Sequence, residues 1–184
     1  MTANAVPVCT WGLMELARDP ILRREIRDEV EAASAGRQFD VQKLVTLPLL
    51  QSFYTEVMRL HVSVLVIREA LRPFRMEGYA LPAGSILQAP SEISHYSENI
   101  WGVEGHPASE FWARRHISYD PKGKARFEMM GRPADFFPFG MSFHDQSLLL
   151  LFWPTSLRAT SAGTAGGCLY SFELHHILWS LRCL

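Results

Sequence analysis

Apolar residues recur at helical spacing through the first third of the chain. Residues 11–18 carry a helical pattern that stops at Asp19-Pro20. An Asp at the N-cap followed by Pro at the first helical position is a strong start signal, so a second helix begins there. In it Leu22, Ile26 and Val30 recur every four residues and form one stripe. Arg23, Arg24, Glu25, Arg27, Asp28, Glu29 and Glu31 cover much of the rest, as on a surface helix. Gly36 is expected to end it. Residues 40–44 support a short turn of helix at most. A third full helix is predicted from Pro48 to His61, with Thr46 as its cap and Leu50, Phe53, Val57 and Leu60 as its apolar face.

Beyond His61 the pattern turns β-like. Residues 62–68 are β-branched and apolar. Residues 72–81 and 82–88, punctuated by Gly78 and Gly84, predict a strand, a turn and a strand. Residues 90–100 predict another helix or helical turn, and a Gly- and Pro-punctuated meander follows to Gly140. There is no internal repeat. The expected architecture is mainly α with a small β element.

After Gly140 the character changes. Of the charged side chains only Asp145, Arg158, Glu173 and Arg182 lie beyond it, and residues 159–167 have linker composition. Two segments are therefore expected, 1–140 as a partial domain and 141–184 as an unrelated tail.

Composition narrows the class. Hydrophobic residues at 48% and charged residues at 20% describe a globular chain. A net charge of −1 offers nothing to nucleic acid. Cys9, Cys168 and Cys183 are scattered, which fits a reducing compartment and no disulfide framework. No pair of them has metal-site spacing. The N-terminus lacks the basic and apolar regions of a signal peptide. The strongest apolar run, Leu148 to Trp153, is far below the ~20 residues that span a bilayer.

Several groups of residues carry candidate chemistry, and each has an ordinary reading when taken alone. Glu56 and Arg59, at i,i+3, can pair across adjacent turns, and most such pairs are solvated. At ~100° per residue, however, both lie beside the edge of the apolar stripe, which makes them candidates for a partly buried pair. Phe111-Trp112-Ala113-Arg114-Arg115 alone is a basic loop with aromatic filler. Phe136-Phe137-Pro138-Phe139-Gly140 alone is an aromatic turn. Arg68 alone is a solvated strand-end arginine.

Their order is more specific than any one of them. Glu-x-x-Arg at 56–59, Gly-Tyr-x-Leu-Pro-x-Gly at 78–84, His95 to Gly102, Phe-x-x-x-Arg at 111–115 and Phe-Phe-Pro-Phe-Gly at 136–140 together resemble the C-terminal half of a cytochrome P450, over about residues 5–140. The resemblance implies a heme-dependent monooxygenase. In full-length form it would oxidise an apolar small molecule with O2 and electrons from an NADPH-dependent reductase. It implies that Glu56, Arg59 and Arg115 form a buried network that braces the loop behind the heme. It also implies that Arg68 binds a heme propionate, and that Phe139 and Gly140 open the cysteine loop. The usual Pro of the meander has no match at Ala113-Arg114. Asn4 stands near the position where many members carry an alcohol-bearing Thr on the distal helix. With Pro7 and Trp11 it resembles the branch that contains prostacyclin synthase, cholesterol 7-hydroxylase and fungal relatives. Members of this type are usually bound to the endoplasmic-reticulum membrane. Their anchor, their substrate-recognition half and most of the distal helix would precede Met1, so the localisation of this chain is left open.

The cysteine loop breaks the pattern. The family spacing Phe-x-x-Gly-x-x-x-Cys-x-Gly, started at Phe139, puts Ser142 at the second Gly, Gln146 at the Cys and Leu148 at the last Gly. Glutamine cannot supply the electron density of a thiolate, which favours O–O cleavage in this chemistry. His144 offers an imidazole, which would make a different heme protein; the expectation is a loop histidine without iron, and so no metal ligand. A hydrolase built on His144 and Asp145 lacks a nucleophile motif. The codons for Gly140-Met141-Ser142 can contain a splice-donor-like GTATGAG, so the tail is expected to be translated intron or a shifted frame. The chain is expected to bind no heme through a thiolate. The alternative is a non-catalytic interaction or regulatory remnant. With its usual partners outside the chain, apolar surface is expected to be exposed.

Overall fold

The computed structural model describes residues 5–34, 40–131 and 134–139. Helix α1 (Ala5–Arg18) leads into α2 (Pro20–Ala33) through Asp19, whose carboxylate accepts from the N–H groups of Ile21 and Leu22, both at 2.9 Å. That satisfies two of the donors every helix start leaves open, which is why the Asp-Pro pair starts the helix where the sequence predicts. Leu22, Ile26 and Val30 are all buried, so the four-residue stripe is the core face. The helix ends at Ala33 with Ser34 as its C-cap; Gly36 lies outside the described residues. A single turn, α3 (Val41–Leu44), is capped by Asp40.

Helix α4 (Pro48–His61) is buried on all sides, from Leu49 through Arg59. The sequence predicted one apolar stripe. The packing instead closes over the polar side as well, and Leu60, assigned to the stripe, is only half-buried. Nor does Thr46 cap this helix: its hydroxyl donates to the Lys43 carbonyl, and the N-cap residue Leu47 makes no side-chain bond. The cap comes from α2. Glu29 Oε1 and Oε2 accept from the N–H groups of Leu49 and Leu50 at 3.0 and 2.9 Å. Burial raises the Glu29 pKa, against the lowering effect of these two bonds. Helix α1 joins α4 at its other end, where His61 stacks on Trp11 at 4.2 Å and meets Glu15 at 2.9 Å.

The β elements are three two-stranded antiparallel pairs. β2 (Phe74–Met76) and β3 (Tyr79–Leu81) form a hairpin about Glu77 and Gly78, at φ 48° and 85°. Two positive φ values in succession suit a Gly at the second place. The strand after the second turn, β4 (Ile86–Pro90), does not pair with this hairpin, as the order along the chain implied. It pairs with β1 (Leu65–Glu69), in a register that sets Val66 opposite Ala89 and Arg68 opposite Leu87. The hairpin is an excursion that returns the chain to its own start.

Two short helices follow, α5 (Ser91–His95) and α6 (Glu98–Trp101). The meander beyond them holds one further hairpin that the sequence did not reveal, β5 (Ile117–Tyr119) with β6 (Ala125–Phe127). The core gathers around α4, with Leu16, Ile26, Leu44, Trp101, Ala108 and Phe136 packed about it. Leu65, Ile67 and Ile86 of the β1–β4 pair are about half exposed, at 50%, 49% and 59%. Among the described residues no helix is long and apolar enough to cross a membrane.

Candidate functional site: a buried carboxylate held by two guanidinium groups

The polar face of α4 is buried, so each of its polar side chains must find a partner inside the protein. Gln51 donates to the Val45 carbonyl, and Ser52 Oγ accepts from the His116 N–H at 3.1 Å. Glu56 and Arg59 are the costliest groups, with side chains at 0% exposure. Arg59 Nε donates to Glu56 Oε2 and Arg59 Nη2 to Glu56 Oε1, both at 2.8 Å. This is a two-point fork fitted to a carboxylate.

Arg115 reaches the same carboxylate from the meander. Its Nε donates to Glu56 Oε1 at 2.8 Å, and its side chain is also at 0% exposure. The Trp112 N–H adds a bond to Glu56 Oε1 at 3.2 Å. The remaining guanidinium hydrogens go to backbone carbonyls. Arg115 serves Trp101, His106 (3.2 Å), Pro107 (3.0 Å) and Glu110 (2.9 Å). Arg59 serves His95 at 2.5 Å and Glu110 at 3.4 Å. The His95 and Trp101 carbonyls lie at the ends of α5 and α6, where a helix leaves its last carbonyls without an intrahelical partner.

Electrostatics follow from this geometry. Burial alone would push the Glu56 carboxyl up; the Arg59 guanidinium and the His116 imidazole outweigh it and hold the group at about 2. A carboxyl held that low stays ionised, and guanidinium groups do not deprotonate in proteins. The cluster therefore exchanges no protons at neutral pH. Its chemical role is structural: it fastens α4, the ends of α5 and α6, and residues 106–115 to one point.

The structure thus brings Glu56, Arg59 and Arg115 together. Arg68 is elsewhere. It is exposed on β1, its Nη1 donates only to the neighbouring Ile67 carbonyl at 2.9 Å, and among the described residues it has no ion-pair partner. Phe139 closes the described segment, 36% exposed. Asn4, Gly140, His144 and Gln146 lie outside the described residues.

Sequence reasoning gave no role to His95 and His116. Both are fully buried, His116 with Nε2 3.5 Å from Glu56 Oε2. His116 is the neighbour of Arg115, and that adjacency was the available signal. His95 was visible only as the first residue of a motif. Glu98 was passed over too; its Oε2 accepts from the Ala108 N–H at 2.7 Å and anchors the meander to α6.

The described residues fit the periphery of a heme better than its iron. Arg68 offers an unpaired cation suited to a propionate, beside the exposed side chains of Leu65 and Ile67. No group of three His, Cys, Asp or Glu side chains able to hold a metal occurs among the described residues. The one described cysteine, Cys9, packs against the core from α1.

Comparison with known proteins agrees with the arrangement. The family model for cytochrome P450 matches residues 2–141. Cytochrome P450 monooxygenase calL of Penicillium decumbens is 52% identical over 144 residues, which is 75% of this chain and 27% of that protein. Cytochrome P450 monooxygenase fsoE of Humicola fuscoatra is 33% identical over 138 residues, 65% of this chain and 23% of that protein. Beta-amyrin 24-hydroxylase of Glycine max is 30% identical over 142 residues, 76% of this chain and 27% of that protein. The chain spans about a quarter of the length of these curated relatives. With a Glu-x-x-Arg helix locked to a meander arginine, and the match running through the aromatic lead-in at 136–139, the chain belongs to the cytochrome P450 family.

Proposed function

We propose that this chain carries the proximal brace of a heme monooxygenase without the thiolate that the chemistry requires. The observation that carries the reading is the fully buried Glu56–Arg59–Arg115 cluster. Such a cluster is expensive to bury, and its carbonyl partners all lie between His95 and Glu110, on the approach to the 136–139 run. The cluster braces a loop; Gln146 stands where that loop would carry its cysteine. Heme, when bound in a family member, supplies the oxygen-activating chemistry. In this chain Arg68 would hold a propionate, and Phe139 with Gly140 would lead into the loop. No ligand for the iron is assigned, and no catalytic residue follows from these side chains.

In full-length form the same scaffold would oxidise an apolar small molecule with electrons from a reductase. The half-exposed Leu65, Ile67 and Ile86 are of the right character to face such a substrate. Fungal P450 monooxygenases among the relatives support placing the chain near fungal members, and Asn4, Pro7 and Trp11 support the prostacyclin synthase and cholesterol 7-hydroxylase branch. Residues 141–184 form, on this proposal, a tail unrelated to the family. Its support is the low charge beyond Gly140 and the end of the family match at residue 141. Sequencing the transcript across the codons for Gly140 tests it: a continuous reading frame with no intron or frame change would remove it.

The activity reading is tested by loading the purified chain with heme, reducing it and adding carbon monoxide. The expected spectrum lacks the red-shifted Soret band of a thiolate-ligated ferrous carbonyl; its appearance would overturn the proposal. The exposed apolar strand pair favours a second reading, an interaction remnant that docks another protein through this face. A monomer that folds alone and stays soluble supports that reading, and aggregation on expression counts against it.

A further inference from the structure

Two buried histidines outside the carboxylate–guanidinium cluster each accept a backbone N–H. The Met130 N–H donates to His116 Nδ1 at 3.1 Å, and the Phe137 N–H donates to His95 Nε2 at 3.1 Å. We propose that His95 and His116 are paired positioning residues, neutral imidazoles that hold residues 129–131 and 134–137 beside α4 by accepting the Met130 and Phe137 backbone N–H groups.

The chemistry of the donors fixes the state of the rings. A backbone N–H only donates, so the nitrogen facing it carries no proton, and a charged imidazole has no such nitrogen. His116 must therefore carry its proton on Nε2, the nitrogen that faces Glu56 Oε2 at 3.5 Å. His95 must carry its proton on Nδ1. The surroundings favour neutral rings. His116 is faced by Glu56 and Arg59 from α4 and by Arg115, with the rings of Trp101 and Phe127 at 5.8 and 6.1 Å. Two guanidinium groups on one carboxylate already leave excess positive charge, and a protonated His116 would add more. His95 is faced by Arg59, with the rings of Phe136 and Phe137 at 5.4 and 5.5 Å. Burial lowers the pKa of both groups and takes His95 to about 4, although the carbonyls of Arg59 and Val62 favour its proton.

Neighbouring bonds act in the same direction. Ser94 Oγ donates to the Asp135 carbonyl at 2.7 Å, and the Glu128 N–H donates to the His116 carbonyl at 2.8 Å. The aromatic run is thereby fastened on both sides of Phe136, which packs on Trp101 at 6.2 Å. The latch rests on these contacts alone. Its use, which is to set the 136–139 run ahead of the ligand loop, rests on the proposed function.

The full-length chain labelled with 15N tests the latch by long-range imidazole NMR, with His95→Gln and His116→Asn assigning the signals. Neutral rings at pH 7, protonated on Nδ1 in His95 and on Nε2 in His116, are expected. A charged ring or the opposite tautomer at either position overturns the proposal. Hydrogen exchange at the Met130 and Phe137 amides provides a second readout. His116→Phe and His95→Phe keep a ring and remove the acceptor, and each should accelerate exchange about tenfold at the amide it serves. His116→Asn and His95→Gln put a carbonyl oxygen near the lost nitrogen and should restore protection, with α4 amides unchanged throughout. Equal acceleration everywhere, or none at these two amides, overturns it. Where a Phe variant does not fold, the wild-type tautomers decide. The carbon monoxide spectrum reports on the iron ligand and not on these tautomers, so the two proposals fail separately.

Discussion

Replacing Glu56 by Gln should be among the most damaging isosteric changes in this chain. The substitution keeps size and one carbonyl oxygen and removes the carboxylate that both Arg59 and Arg115 contact, all three side chains being fully buried. Neither guanidinium can shed its proton, so two charges remain in the core without a counter-ion. Removing one partner of a buried ion pair costs about 3–5 kcal/mol. That is a large fraction of the roughly 5–15 kcal/mol that separates folded from unfolded domains. Urea unfolding followed by tryptophan fluorescence is a suitable assay, because Trp101 and Trp112 both contact the cluster through their backbone. With slopes of about 1–3 kcal/mol per molar urea, the midpoint should fall by roughly 2 M. A double-mutant cycle adds the decisive number. Arg59→Met should cost clearly less in the Glu56→Gln background than in the wild type, because the charge it strands is already gone. A loss below about 1 kcal/mol for Glu56→Gln, or strict additivity in the cycle, would refute the electrostatic account of the cluster.

Other expectations follow from single contacts. Glu29→Ala removes the two-point cap of α4 and should cost about 1–3 kcal/mol by thermal melting, with faster amide exchange confined at first to Leu49 and Leu50. Gly131→Ala places a methyl group 3.0 Å from Trp101 Cη2 at φ +82°, so strain and overpacking combine to cost about 1–3 kcal/mol in the same assay. Acid should destabilise the chain in two overlapping windows. His95 binds a proton more readily unfolded (6.5) than folded (about 4), so stability falls as pH drops from 6.5 towards 4. Glu56, at 4.5 unfolded and about 2 folded, extends the loss from pH 4.5 towards 2. Stability that is flat between pH 7 and 4 in denaturant titrations would contradict the first of these.

Much of this protein was legible in one dimension. The start of α2 follows from Asp19-Pro20, because an N-cap and the residue after it are local neighbours whose geometry needs nothing else. The burial of Leu22, Ile26 and Val30 follows from a four-residue period. The order of Glu56, Arg59, Arg115 and the 136–139 run was enough to place the family, since a linear sequence of motifs survives without coordinates.

What the sequence could not settle depends on partners far along the chain. Thr46 sits where a local cap belongs, yet Glu29 fills that role from another helix, because only packing brings a carboxylate onto those two amides. β4 passes over the adjacent hairpin to join β1, since the chain returns antiparallel to the strand it left before β2. The rings of His95 and His116 became acceptors only when the Met130 and Phe137 backbone folded back onto them. By itself the sequence determined which side chains form the cluster, Glu56, Arg59 and Arg115. The tertiary structure decided that the cluster is fully buried, that Arg68 stands apart from it, and that two buried imidazoles accept backbone N–H groups beside it. The physical reason is that period and capping are short-range properties, while the burial of a charge and the partner of a ring nitrogen exist only after distant segments meet.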